Sequence, residues 1–201
     1  MLKILLATTN AHKVEEFTAL WKSYDPDQLA GQLLILKSLP EAPEEGASFA
    51  ANAAFKARFY YELYRQPVLA DDSGLEVQAL GNFPGLYSRR WLKDAPFRVK
   101  SLALLAQLGS QDNSCRYRSA IAYCDQNGLR VFEGEVSGKL VVPVGPDGFG
   151  FDPAFYLQSE QKVFAELDLA SKNKISHRGR AFARFWNFWQ QLIEQVAKDA
   201  P

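Results

Sequence analysis

Two adjacent carboxylates, Asp71 and Asp72, followed by Ser73 and Gly74, stand directly after the apolar run Val68-Leu69-Ala70. Neighbouring like charges repel unless a cation or a proton resolves the conflict. Magnesium takes one or two carboxylates together with phosphate oxygens and keeps several waters, which suits this pair; an Asp-rich turn with Gly74 at positive φ is the alternative. Thr8-Thr9-Asn10-Ala11-His12-Lys13 sets two hydroxyls, an amide and an ammonium between a strand and the start of a helix. Unpaired helical amides and the helix dipole favour an anion there. The Gly-rich spacing of a Walker A loop is missing, and a helix cap followed by a solvated lysine explains the same residues. Pro146-Asp147-Gly148-Phe149-Gly150-Phe151-Asp152-Pro153 offers glycines for close backbone approach and rings on which a base can stack, or rings that fill a core. Lys172 to Arg178 holds Lys172, Lys174, His177 and Arg178, which could face phosphate or the edge of a base, or make a solvated basic turn. Each motif alone is ordinary. An anion cradle, a metal carboxylate, a stacking loop and a basic clamp in one small chain together point to a site for a phosphorylated small molecule.

The elements that must position these residues follow from periodicity. Ile4-Leu5-Leu6-Ala7 reads as a strand, and Val14, Phe17, Leu20 and Trp21 fall at helical spacing behind it. Leu33 to Leu36 reads as a second strand, and Pro40 to Gly46 as a loop. Ser48 is an N-cap for a helix through about Arg65, which ends before Pro67. Val68-Leu69-Ala70 is short enough for a buried strand that delivers Asp71 and Asp72 to its C-terminal end. Ala95 to Leu108 reads as a helix with Pro96 in its first turn. Arg116 to Tyr123 and Leu129 to Val142 form a long hairpin around a type I′ turn at Asn127-Gly128. Phe182, Phe185, Trp186, Trp189, Ile193 and Val196 trace one face of a C-terminal helix, as core or subunit interface. Strands alternating with helices, then a hairpin, give the α/β class, with a mixed sheet flanked by helices in a single domain over residues 1–201.

Lys plus Arg and Asp plus Glu both number 23, so no broad positive field exists to gather a nucleic acid. The apolar part of Met1 to Ala7 is too short for a signal peptide, and no run approaches the roughly 20 apolar residues of a membrane span. Cys115 and Cys124 fall in one strand, where nine residue steps hold them about 30 Å apart, beyond the roughly 7 Å of a disulfide. The expectation is a cytoplasmic protein with neither a nucleic-acid nor a membrane partner.

Read in order, Ala7-Thr8-Thr9-Asn10-x-x-Lys13, Asn52-Ala53-x-x-Lys56-Ala57, Ala70-Asp71-Asp72-Ser73-Gly74-Leu75, Pro84-Gly85-x-Tyr87-Ser88-x-Arg90, Gly148-Phe149-Gly150-Phe151-Asp152-Pro153 and Ser176-His177-Arg178 resemble the inosine triphosphate pyrophosphatase family. Its bacterial members are also called XTP/dITP diphosphatases or HAM1-like proteins. The resemblance implies hydrolysis of ITP, dITP or XTP between the α- and β-phosphates, giving a monophosphate and diphosphate. It also implies Mg²⁺, a homodimer, and a two-lobed α/β fold around a long mixed sheet, with the substrate cleft between the lobes. Carried over by position, Thr8, Thr9, Asn10 and Lys13 would hold the triphosphate and Ser73 would contact substrate. Asp72 matches a proton acceptor and metal ligand, and Glu44 lies near a second metal carboxylate. Phe149 would stack on the base, Gly150, Phe151 and Asp152 would line its pocket, and Lys172, His177 and Arg178 would contact substrate from the C-terminal side. Thr9 stands where many members have Gly, Phe151 where Tyr or Trp is frequent, and Ala51 where bacterial members often have Glu.

In the mechanism this implies, Asp72 and Glu44 hold Mg²⁺, Lys13 and the helix start hold phosphate, and Asp72 orients or deprotonates water. Hypoxanthine and xanthine carry an acceptor at position 6 where adenine carries a donor, so donors from Arg178 or His177 would favour them. A Maf-like pyrophosphatase of other base preference and a non-catalytic nucleotide-binding module are the rival readings.

Overall fold

A computed structural model describes residues 2–145 and 148–199; Met1 of the opening run and Pro146 and Asp147 of the glycine-rich loop lie outside the described residues. In chain order the elements are β1 (Lys3–Leu6), α1 (Ala11–Tyr24), β2 (Gln32–Leu34), α2 (Phe49–Tyr64), β3 (Val68–Val77), β4 (Phe83–Pro84), α3 (Phe97–Leu108), β5 (Ser114–Asp125), β6 (Gly128–Leu140), β7 (Phe155–Leu157), β8 (Lys162–Val163), α4 (Leu169–Ile175) and α5 (His177–Asp199). Both early helices begin on side-chain caps: Asn10 Oδ1 accepts from the amides of His12 and Lys13, and Ser48 Oγ accepts from Ala51.

The eight strands form one mixed sheet in the order β2-β1-β3-β5-β6-β7-β8, with β4 paired to β3. β1 runs parallel to β2 and β3, and the remaining pairs are antiparallel. The long strands β3, β5 and β6 run through two lobes. In the first, α1 and α5 bury Phe17, Trp21, Phe182, Phe185 and Trp189 against one face of the sheet. On its other face the small residues Ala53 and Ala57 bring α2 close to Val68, Ala70, Ala120 and Ala122. In the second lobe, α3 and the 149–167 segment pack Leu104, Leu108, Phe151, Phe155 and Phe164 against Leu75, Tyr117 and Leu140. The α/β class, the mixed sheet and the two lobes agree with the sequence reading.

Two local expectations change, and one alternative is removed. β3 does not stop at Ala70. β5 pairs with all ten of its residues, from Val68 opposite Cys124 to Val77 opposite Cys115, so Asp71 and Asp72 sit mid-strand and not at a strand end. Gly74 is accordingly extended rather than a turn residue, and its lack of a side chain serves a close approach: a Cβ there would stand 2.6 Å from the Gly85 carbonyl oxygen and from Ser88 Oγ. The hairpin pairs Asp125 with Gly128, so its central residues are Gln126 and Asn127. Neither has positive φ, which excludes a type I′ turn; Gly128 takes φ +124°, and Asp125 Oδ1 fixes the turn by accepting from the Asn127 amide at 2.8 Å. The basic segment is no solvated turn. Lys172 lies on α4 and Arg178 in the first turn of α5, and both are buried because buried carboxylates face them.

Candidate active site

One edge of β3 is covered by β5 throughout. The other is paired with β1 only at Val68 and Leu69 and with β4 only at Glu76 and Val77. Between these contacts the strand that carries Asp71-Asp72-Ser73 has an edge with no strand partner among the described residues. The Asp71 carbonyl oxygen points into this gap and accepts from Lys56 Nζ at 3.2 Å and Lys13 Nζ at 3.5 Å. Those two lysines arrive from α1 and α2, on opposite faces of the sheet. Strand alternation sends the two carboxylates the same opposite ways.

On the α1/α5 face, Asp71 is 4% exposed and touches Lys13 at 2.8 Å, Arg178 at 3.2 Å and Ser119 Oγ at 2.6 Å. Glu16, one turn after Lys13 on α1, pairs with Arg178 and, at 2.6 Å, with Lys172. Lys172 also meets Asp152 at 2.5 Å, and Arg178 donates to Ser73 Oγ at 2.8 Å. Three carboxylates thus interlock with three cations, all buried or nearly so. Burial pushes the Glu16 carboxyl up, but Arg178 and Lys172 outweigh it and hold the group at about 2. The same contest at Asp71, won by Arg178 and Lys13, holds that carboxyl well below the usual aspartate range. Burial wins at Asp152, raising it despite Lys172. It also lowers Lys13, with Asp71 opposing. His177 is driven well below the ordinary histidine value by burial and by Arg178 beside it, so its ring is neutral, stacked on Tyr117 at 4.5 Å and 8°. The expected cationic donor there is Arg178 alone.

On the α2 face, Asp72 accepts from Asn52 Nδ2 at 2.9 Å and Lys56 Nζ at 3.3 Å. Lys56 also holds Glu44 Oε1 at 2.6 Å, while Arg90 approaches the same carboxylate only to 3.9 Å. The Glu44 side chain is 35% exposed, and that of Asp72 14%. Burial raises Glu44, but its bond to Lys56 leaves it below the ordinary value; burial lowers Lys56, but Asp72 and Glu44 carry it above. Of the two candidate glutamates, Glu44 shares Lys56 with Asp72 and Glu45 is exposed. No cluster of three or more metal-ligating side chains occurs among the described residues. Two oxygen ligands bridged by one ammonium fit a hard divalent cation that brings phosphate and water as its other ligands.

A cavity of about 170 Å³ adjoins the buried network, walled by His12, Glu16, Phe149, Asp152 and Lys172. Phe149 is half-buried there and stacks on His12 at 5.0 Å, with Lys172 5.6 Å and Arg178 5.8 Å from its ring centre. Gly150 takes φ +64°, bringing the Phe151 amide to Tyr117 Oη at 2.8 Å. The Phe151 ring then turns into the second core, edge-on to Phe97 and 1% exposed, and does not line the cleft. Thr8 and Thr9 lead into α1, Thr8 Oγ1 accepting from the Asn10 amide at 3.2 Å while Thr9 stays exposed. Sequence reasoning missed Glu16, Ser119 and Tyr117. Glu16 had a signal, a carboxylate inside the buried stripe that runs from Lys13 to Leu20; the other two look like ordinary strand residues.

Residues 4–188 match the model of the Ham1 family. A dITP/XTP pyrophosphatase of Caulobacter vibrioides is 41% identical over 188 residues, 90% of this chain and 95% of the relative. One of Desulfotalea psychrophila is 40% identical over 197 residues, 95% of this chain and 86% of the relative. The solved structure of the Staphylococcus aureus Ham1 protein superposes with a TM-score of 0.82 at 31% identity, covering 94% of this chain and 98% of that one.

Proposed function

From the premise that the chain belongs to the Ham1 family, we propose that it hydrolyses ITP, dITP and XTP to the nucleoside monophosphate and diphosphate at the open edge of β3. The observation that carries this reading is the gap in strand pairing at Asp71-Asp72-Ser73, where lysines from both faces converge on one carbonyl oxygen. Lys13 and the start of α1 hold phosphate oxygens, Phe149 stacks on the base, and Thr8, Thr9, Asn10 and Ser73 complete the polar lining. Lys172, Arg178 and Lys13 are already matched by Glu16, Asp71 and Asp152, so this network alone has little positive charge to spare for a triphosphate.

A divalent cation would supply the missing charge. Asp72 and Glu44 would hold Mg²⁺, which when bound neutralises phosphate oxygens. Water attacks the α-phosphorus, the bond from that phosphorus to the bridging oxygen breaks, diphosphate departs, and Asp72 orients the water and takes its proton. For the base, Arg178 Nε is buried without a partner among the described residues. An N–H that can only donate is satisfied by the 6-oxo group of hypoxanthine or xanthine and left unpaired by the 6-amino group of adenine.

A homodimer and a cytoplasmic location belong to the same reading. Free, buried Cys115 and Cys124 suit a reducing compartment, and light scattering checks the dimer. The deciding experiment incubates the protein with ITP, XTP, GTP and ATP, with and without Mg²⁺, and separates the products by HPLC. Diphosphate release from ITP and XTP only with Mg²⁺, about 100-fold faster than from ATP, is expected. ITP binding without release indicates a binding module, and preference for modified pyrimidines a Maf-like enzyme; either result refutes the proposal.

A further inference from the structure

α2 carries three polar groups spaced one turn apart, and all three grip the loop from Pro40 to Gly46. Asn52 Oδ1 accepts from the Gly46 amide at 2.7 Å, Lys56 Nζ meets Glu44 at 2.6 Å, and the Tyr60 hydroxyl donates to the Pro40 carbonyl oxygen at 2.6 Å. Residues four apart share one helix face, so the helix acts as a ruler laid along the loop. Asn52 and Lys56 reach Asp72 as well.

The two attachments differ in stiffness. The lysine ammonium sits at the end of a flexible stem, whereas the Asn52 amide is short, planar and 1% exposed. Its orientation is dictated by its neighbours, because the Gly46 N–H can only donate and the Asp72 carboxylate can only accept. Gly46 makes the approach possible: a Cβ at that position would lie 2.7 Å from Asn52 Oδ1 and 2.8 Å from Ala51 Cβ.

We infer that Asn52 is a positioning residue for the reaction: through its two amide ends it fixes the rotamer of Asp72 and ties it to the backbone of the loop that carries Glu44. This rests on the proposed reading of Asp72 and Glu44, and the test separates the two. Kinetics with ITP are measured for Asn52→Ala and Asn52→Asp, together with Mn²⁺ binding by EPR in the presence of the non-hydrolysable α,β-imido analogue of ITP, and urea midpoints. Asn52→Ala should lower kcat and Mn²⁺ affinity by about 10–100-fold, the usual effect of losing a residue that orients a metal ligand. KM for ITP should stay within about threefold, because Lys13 and Phe149 lie on the other face of the sheet. A purely structural role would move the urea midpoint but leave kcat and Mn²⁺ affinity alone.

Asn52→Asp keeps the shape and the acceptor for Gly46 but turns a carboxylate oxygen toward Asp72, so it covers the case in which the alanine variant does not fold. Its kcat should fall at least as far. Wild-type kcat in either folded variant overturns the inference. If the wild-type protein binds no Mn²⁺ while kcat still falls in the variants, the metal assignment fails and the role of Asn52 stands.

Discussion

The two faces of β3 treat adjacent aspartates in opposite ways. Asp71 enters a buried lattice in which each charge has a partner, and its carboxyl is held far below its ordinary value by Arg178 and Lys13. Asp72 shares one ammonium with Glu44 on a side that opens to solvent. In a closed, neutral lattice each charge is held by its partners. A pair of carboxylates bridged by one lysine leaves negative charge to be compensated and oxygens that a cation can reach. Alternation along a strand is what lets neighbours in sequence play both parts.

The comparison breaks first at the aspartates. Asp72→Asn should lower kcat for ITP about 1000-fold while the thermal midpoint stays within a few degrees, since the substitution is isosteric and its surroundings are partly solvated. Asp71→Asn should do the reverse in kind. It strands Lys13 and Arg178 in a buried site and should reduce unfolding free energy by about 3–5 kcal/mol in urea titrations. Equal stability losses for the two variants would show that the faces are not distinct.

Glu16 sharpens the contrast through pH. Its folded value of about 2 lies below the ordinary 4.5, so its contribution is fully present above pH 4.5 and is lost as pH falls from there toward 2. The difference corresponds to about 3 kcal/mol. Asp71 acts in the same sense. Asp152, raised by burial, acts in the other and offsets part of the loss. Glu16→Gln should be less stable at pH 7 and show a shallower acid limb when urea midpoints are followed from pH 7 to pH 2.5. An unchanged acid limb would place the proton uptake elsewhere.

The same contrast marks what the sequence could disclose. Element types followed from periodicity: the α1 and α5 stripes, the Ser48 cap and the long hairpin all lie where local pattern puts them. The span of β3 was hidden, because Asp-Asp-Ser-Gly has low intrinsic preference for a strand and is held in one by ten pairings to β5, a distant segment. The motif residues were legible as types, yet sequence could not tell a solvated basic turn from a buried clamp. That difference depends on Glu16, which is 162 positions from Arg178. Nor could spacing choose between Glu44 and Glu45, since the choice is made by the grip of Lys56 on one of them.

That last choice gives the smallest effect and the finest test of the open face. Glu44→Gln removes charge from one of two carboxylates but keeps an oxygen that can face Lys56, so metal affinity should suffer more than turnover. The Mg²⁺ concentration giving half-maximal activity should rise about tenfold, with kcat at saturating Mg²⁺ within about threefold of wild type. Stability should change little, because Lys56 keeps the Asp72 carboxylate as its charged partner and the amide oxygen as an acceptor. Glu45→Gln, at an exposed neighbour, should leave the Mg²⁺ titration where it was. A shift produced by Glu45→Gln and not by Glu44→Gln would mean that the loop presents its other glutamate to Asp72 when substrate is bound.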